Sequence, residues 1–320
     1  MNSIWIEKYR PSNLDQIIGQ DKNINILDQM ITNKSLPHLL FHGKSGTGKT
    51  STILSIANKL YGKNKTFMVM KLDASDDRGI NTVREEIKGF ADKMTPFNNS
   101  IKLIILDEAD SMTYDAQFAL RRIIERYSDN TRFCLICNYE NKIIPAIKSR
   151  CVNIRFYPIN YDIIIKRLQY ICRMEMIEYD NQCLETISTI SNGDLRKAIN
   201  MLQSISMMNR RISSDLCYNM TGIPRPDLVS NIFNILIDRT INFETAYNYL
   251  KEHILDDGIL ISFLLQQLNN HIITNITKYI DIKYLSTIII DIANLESAIA
   301  ISTFNDIYMA GLISIFKKHN

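Results

Sequence analysis

Residues 43–50 read Gly-Lys-Ser-Gly-Thr-Gly-Lys-Thr, set between a short apolar run and a segment with helical periodicity. The run His38–His42 is mostly apolar and bounded by turn residues, so it reads as a buried strand. After the loop, Ile53, Ile56/Ala57 and Leu60 recur at the spacing of one helix face. A strand, a glycine-rich loop and a helix in this order make a phosphate cradle. The glycines let successive backbone N–H groups crowd one anion, and the helix N-terminus favours negative charge. Gly43, Lys44, Ser45, Gly46, Thr47 and Gly48 form the cradle. Lys49 is placed to reach β- and γ-phosphates, and the Thr50 hydroxyl to face Mg²⁺.

A second apolar strand, Leu103-Ile104-Ile105-Leu106, ends in Asp107 and Glu108. Adjacent carboxylates at a strand end repel one another unless a cation lies there. Asp107 is the expected Mg²⁺ partner, and Glu108 the base or orienter for an attacking water. With the phosphate loop, the pair points to binding of a nucleotide with Mg²⁺ and to its hydrolysis.

Further strand candidates lie at 67–72, 131–137 and 151–156, with helices expected at about 80–93 and 115–127. Strands alternating with helices predict a parallel sheet covered on both faces. After Pro158 the strand signal stops. Helices are expected from an Asn160 cap to about 175, over 181–191, and from an Asp194 cap to about 207, with Asn192-Gly193 closing the second. Pro224 and Pro226 mark a linker, and 227–320 is helical in pattern. The expected organisation is an α/β nucleotide-binding core at 1–157, a three-helix lid at 158–222 and an all-α domain at 223–320.

The net charge is +3 over 320 residues, so any nucleic-acid surface must be local. Of the six cysteines, Cys134 and Cys137 form a CxxC inside an apolar strand. No second pair at zinc spacing follows, which favours buried thiols over metal ligands and suits a reducing intracellular compartment. The opening Met-Asn-Ser-Ile-Trp does not read as a signal peptide. Ile259–Thr277 lacks charge, but its glutamines and asparagines make a poor membrane span.

The stretches WIEKYRPSNLDQIIGQ, LDASDDRGINTVR, RFCLICNYENKIIPAIKSRC and NGDLRKAINMLQ, in this order around the two nucleotide motifs, resemble the small subunits of replication factor C, the clamp loader of the AAA+ family. The resemblance is strong over residues 4 to about 210 and weak beyond. Lys44 and Ser45 depart from the family's usual loop, where prolines stand. The resemblance implies a five-stranded AAA+ core, a lid and a helical collar. It also implies Mg²⁺-dependent ATP hydrolysis coupled to loading a sliding clamp onto primer–template DNA, in a hetero-oligomer with large and small partner subunits. In a eukaryotic cell it implies the nucleus.

It further implies roles for particular residues. Tyr9, Arg10, Pro11 and Ile18, with Ile17 and Gln20, resemble an adenine-binding box; an N-terminal arm packed on the core fits the same letters. Asn138 and Arg196 resemble the two sensors of the γ-phosphate. A cation at Arg196, in the first turn of its helix, opposes the helix dipole unless an anion binds there. Arg150 precedes the last strand, so it lies at the sheet end away from its own phosphate loop. The family presents this arginine to a neighbour's ATP. Arg84 and Lys88 share one helix face, with Arg78 and Asn81 near its start, and suit duplex phosphates; a solvated face would look similar. Gln117, Arg121 and Arg122 resemble the family's central helix. Met112, Tyr114 and Phe118 suit either clamp contact or core packing. An ATP-binding structural subunit with little turnover of its own is the alternative function. A two-lobed helicase is disfavoured because only one nucleotide core is present.

Overall fold

The computed structural model describes residues 4–75, 80–93, 101–208, 211–255, 258–275, 282–299 and 305–318. Five parallel strands form the central sheet: β1 (Leu39–His42), β2 (Val69–Asp73), β3 (Lys102–Asp107), β4 (Thr131–Cys137) and β5 (Val152–Arg155), in the order β2-β3-β4-β1-β5. Every neighbouring pair is parallel. Alternate side chains in a strand face opposite layers, and both faces here are apolar. Leu39, Phe41, Leu103, Ile105, Cys134 and Ile136 pack with Leu27 and Ile31 of the Asp21–Thr32 helix and with Ile53 and Ile56 of the Lys49–Tyr61 helix. Leu40, Ile104, Leu106, Phe133, Leu135 and Cys137 face Ile87 of the Ile80–Asp92 helix and Leu120, Ile123 and Ile124 of the Tyr114–Tyr127 helix. Each fully buried Leu, Ile or Phe contributes roughly 1.5–3 kcal/mol, so the doubly covered sheet is the rigid frame of the site.

The CxxC is split by the same alternation. Cys134 and Cys137 stand three residues apart in β4, hence in opposite layers. Burial pushes the Cys137 thiol up to about 12 and Cys134 well above the ordinary thiol range. No disulfide joins the six cysteines, and no His/Cys/Asp/Glu cluster suited to a metal occurs among the described residues.

Beyond the sheet come the helices Tyr161–Met174, Asn181–Ser191 and Leu195–Met208. Asn160 takes the N-cap position expected of it, with extended backbone but no side-chain cap. Asp194 does cap its helix: Lys197 N donates to Asp194 Oδ1 at 3.0 Å. Asn192 and Gly193 both have positive φ and end the preceding helix. A two-residue parallel ribbon, β6 (Glu178–Tyr179) with β7 (Arg211–Ile212), closes this part.

The chain divides into two compact units, Met1–Ser213 and Ser214–Asn320. In the second, helices at Ser214–Thr221, Pro226–Ile237, Phe243–Leu250, Ile261–Thr274, Ile282–Ile299 and Asn305–Lys318 are described. All but the first of these contribute to a core that includes Phe233, Leu250, Leu268, Ile292 and Phe316. Pro226 occupies the first turn of its helix, where its missing N–H costs nothing. No helix among the described residues is long and apolar enough to cross a membrane.

Candidate nucleotide site

A cleft in the first unit is lined by the phosphate loop from Ser45 to Thr50, by Asp107, Glu108 and Asn138, by Tyr9, Arg10, Pro11, Ile17 and Ile18 of the N-terminal segment, and by Arg196. The loop needs its glycines. Gly43 has φ +144° and a Cβ there would sit 2.2 Å from the Phe156 carbonyl oxygen. The ammonium of Lys49 folds back over the cradle. It donates to Gly43 O at 2.7 Å, Lys44 O at 2.9 Å and Asn138 Oδ1 at 3.0 Å. Gly43 and Lys44 thus hold the lysine through their carbonyls and lie outside the cleft lining. Burial pushes the Lys49 pKa down, against the pull of Asp107 and Asp110.

At the end of β3, Thr50 Oγ1 donates to Asp107 Oδ2 at 3.2 Å. A hydroxyl and a carboxylate converging at the cradle rim are hard oxygen donors, the set Mg²⁺ prefers beside phosphate, so the residues present fit that ion. Lys71 Nζ also lies 3.3 Å from Asp107 Oδ2. Glu108 follows with φ +52°. A left-handed conformation at a non-glycine residue costs roughly 1–2 kcal/mol. Asp107 Oδ1 accepts the Glu108 N–H at 3.2 Å, and Ser111 Oγ donates to the Glu108 carbonyl at 2.7 Å, which holds the turn. The Glu108 side chain is exposed. Asp110 Oδ2 accepts the N–H groups of Asn138 and Tyr139 at 3.2 and 3.1 Å.

The N-terminal segment is tied to the helices after the sheet. Tyr9 is buried and donates its hydroxyl to Glu175 Oε1, which also takes Lys8 Nζ at 2.6 Å. Arg167 donates to the Tyr9 carbonyl at 2.8 Å, and Trp5 N to Gln203 Oε1 at 3.0 Å. Burial and the adjoining carboxylate raise the Tyr9 pKa. Gln20 is buried and donates to Tyr157 O at 2.7 Å, fastening the arm rather than lining the cleft.

Arg150 stands apart from this cleft. The β1–β5 register, Leu39 opposite Val152, puts it at the N-terminal edge of the sheet, whereas the phosphate loop leaves the C-terminal edge. Its guanidinium pairs with Glu125 Oε1 at 2.5 Å and donates to Ala146 O at 2.7 Å. Arg121 shares that carboxylate at 3.0 Å, and the two arginines hold Glu125 below the usual carboxylate range. Gln117 is buried. It donates to Met112 O and Lys142 O and accepts Ile144 N–H at 2.8 Å, binding its helix to the segment after Asn138. Arg122 is exposed. Tyr114 and Phe118 are also exposed, at 67% and 52%, while Met112 packs against the core. Of the four DNA-facing candidates, Lys88 pairs with Glu85 at 3.2 Å. Arg78 and the side chains of Asn81 and Arg84 lie outside the described residues. Sequence reasoning missed Asp110, Lys71, Glu125, Arg167 and Glu175, each of which has a partner far along the chain. Asp110 had a local signal as the last letter of the acidic stretch that opens with Asp107, and Glu125 had one in its i,i+4 spacing from Arg121.

The model of the ATPase family associated with various cellular activities matches residues 39–159, and that of the RCF1/5-like AAA+ ATPase lid domain matches 166–207. Probable replication factor C subunit 5 of Dictyostelium discoideum is 40% identical over 98% of this chain and 90% of its own length. Human replication factor C subunit 5 is 38% identical, over 99% and 92%. The chain belongs to the replication factor C small-subunit family of AAA+ ATPases. Saccharomyces cerevisiae replication factor C subunit 3 is 41% identical over 88% of this chain and 87% of its own. Among solved structures, the Thermotoga maritima RuvB Holliday junction branch migration motor has a TM-score of 0.55 at 16% identity, covering 81% of this chain and 91% of that one. That likeness bears on the fold alone.

Proposed function

We propose that this chain is a small subunit of a clamp loader, binding ATP with Mg²⁺ and hydrolysing it while the assembly loads a sliding clamp onto primer–template DNA. The observation that carries the reading is the meeting of Lys49, Asp107, Glu108, Asn138 and Arg196 in one cleft, with Arg150 at the opposite sheet edge. In this reading the loop N–H groups and Lys49 grip the β- and γ-phosphates, Lys49 exchanging its carbonyl partners for phosphate oxygens. Thr50 and Asp107 hold Mg²⁺, which supplies charge neutralisation on the phosphates. Glu108 orients the attacking water. Asn138 and Arg196 report the γ-phosphate, and Tyr9, Arg10, Pro11 and Ile18 bound the adenine. Arg150 serves a neighbour's ATP.

The three-part division at 1–157, 158–222 and 223–320 belongs to the same proposal, with the last part as a collar joining subunits. So do duplex contact through Arg78, Asn81, Arg84 and Lys88, and clamp contact near Tyr114 and Phe118, whose exposure supports it. Six cysteines without a disulfide support a reducing compartment, the nucleus in a eukaryotic cell.

The test is DNA-stimulated ATP turnover by the complex reconstituted with its partner subunits. Lys49→Ala and Glu108→Gln are expected to abolish this site's share, and Arg150→Ala to lower the neighbour's site by roughly 10³-fold or more. Unchanged turnover with Lys49→Ala and with Glu108→Gln would instead assign the chain a structural role with little hydrolysis of its own.

A further inference from the structure

Asp110 has no role in the assignments above, although it lies two residues after Glu108. It sits in the single turn Ala109–Ser111, and its Oδ2 accepts two successive backbone N–H groups, Asn138 at 3.2 Å and Tyr139 at 3.1 Å. These are the first two residues after β4. A carboxylate bonding to backbone N–H groups makes charge-assisted bonds, stronger than neutral ones. One side chain therefore ties the turn that carries Glu108 to the turn that carries Asn138. The connection continues, because Asn138 Oδ1 accepts Lys49 Nζ at 3.0 Å. Asp110, Asn138 and Lys49 form a line from the hydrolytic turn to the phosphate loop.

We propose that Asp110 is a positioning residue for ATP hydrolysis: by holding the backbone N–H groups of Asn138 and Tyr139, it keeps the Asn138 amide aimed at the γ-phosphate and in register with Glu108. It contacts neither nucleotide nor water itself. Without this anchor the two N–H groups at the exposed β4 exit turn to water, and the turn that carries Asn138 loses its link to the turn that carries Glu108. Displacing a catalytic group by about 1 Å can cost ~10²-fold in rate. A carboxylate that merely stabilised the fold would change melting temperature and leave the ratio of kcat to KM effects unpatterned.

The inference rests on reading Asn138 as a γ-phosphate sensor, and the experiment separates the two. This site's share of turnover is taken as the difference between the reconstituted complex and the same complex carrying Lys49→Ala. Affinity is measured with a fluorescent ATP analogue on the full-length chain. Asp110→Ala is expected to lower kcat about 10- to 100-fold and leave nucleotide affinity within about 3-fold. Asp110→Asn keeps an acceptor oxygen in place and is expected to retain most of the turnover. Asp110→Ala added to Asn138→Ala is expected to cause little further loss, since both act through one group. The proposal is overturned by wild-type kcat in Asp110→Ala, by equal damage in Asp110→Asn, or by multiplicative loss in the double variant. If Asn138→Ala alone leaves turnover intact, the sensor reading fails and takes the route through Asn138 with it. If Asn138→Ala slows turnover and Asp110→Ala does not, only the positioning role falls.

Discussion

One oxygen of Asp107 holds two donors, the Thr50 hydroxyl at 3.2 Å and the Lys71 ammonium at 3.3 Å. Lys71 occupies the place of a counter-cation to a carboxylate that, in the proposed reaction, serves Mg²⁺. Ammonium and metal ion compete for the same charge. Lys71 is 44% exposed, so its hold is modest, about 0.2–1 kcal/mol for a pair of this kind. Lys71→Ala is therefore expected to lower the Mg²⁺ concentration that half-saturates ATP binding by about 2- to 5-fold, read from a Mg²⁺ titration with a fluorescent ATP analogue. An unchanged midpoint would mean that Lys71 moves aside without cost. The meeting of Lys49, Thr50, Asp107 and Glu108 in one cleft was legible in the sequence, because a strand–loop–helix and a second apolar strand bring their ends to the same sheet edge. Lys71 was not, because its contact depends on strand register. It lies beside Ile105 across the β2–β3 pair, and Asp107 is the next residue of β3 on the same face.

The phosphate loop and the Leu195–Met208 helix meet directly. Leu195 N donates to Gly46 O at 3.3 Å. Gly46 has φ +66°, and a Cβ there would lie 1.7 Å from Asp194 Oδ1 and 2.3 Å from its Cγ. Gly46→Ala therefore strains the loop and displaces the cap of the helix that carries Arg196. The expected result is at least about a 10-fold loss of nucleotide affinity, the equivalent of ~1.4 kcal/mol. The melting temperature should fall by only a few degrees, because the sheet is untouched. Near-wild-type affinity would show that Asp194 can leave this contact without consequence. At this scale the five strands were readable from apolar runs between turn signals, each within a residue or two, as at β4, expected and found at 131–137. The β6–β7 ribbon was invisible, since two-residue strands carry no period. The fastening of the N-terminal arm was hidden too. Tyr9 and Glu175 stand 166 positions apart, and neither letter suggests the other.

At the scale of the molecule, the core of the second unit, among the described residues, runs from Val229 to Phe316. It includes Phe233, Leu236, Leu264, Leu265 and Leu268, all essentially inaccessible to water. A self-contained apolar core of this kind is the physical definition of an independently folding part. Its helical character was readable from pattern alone. The amphipathic stripes do not show which helices pack together, so the unit's limits were set by contacts that sequence does not print. A fragment of residues 214–320 is expected to be helical by circular dichroism and to melt in one cooperative transition. At the usual ~0.7 kcal/mol per residue, its enthalpy should be about 75 kcal/mol near 60 °C. If this unit is the collar, excess fragment should also compete with the full-length chain for partner subunits and lower the yield of reconstituted complex. The two readouts test different claims. Helix without cooperative melting would mean that the core needs the first unit to set its packing. Cooperative melting without competition would leave a sound domain whose surface is not what joins the subunits, and would move the search for the joint to the nucleotide-binding unit, where Arg150 and its Glu125 partner stand at the sheet edge.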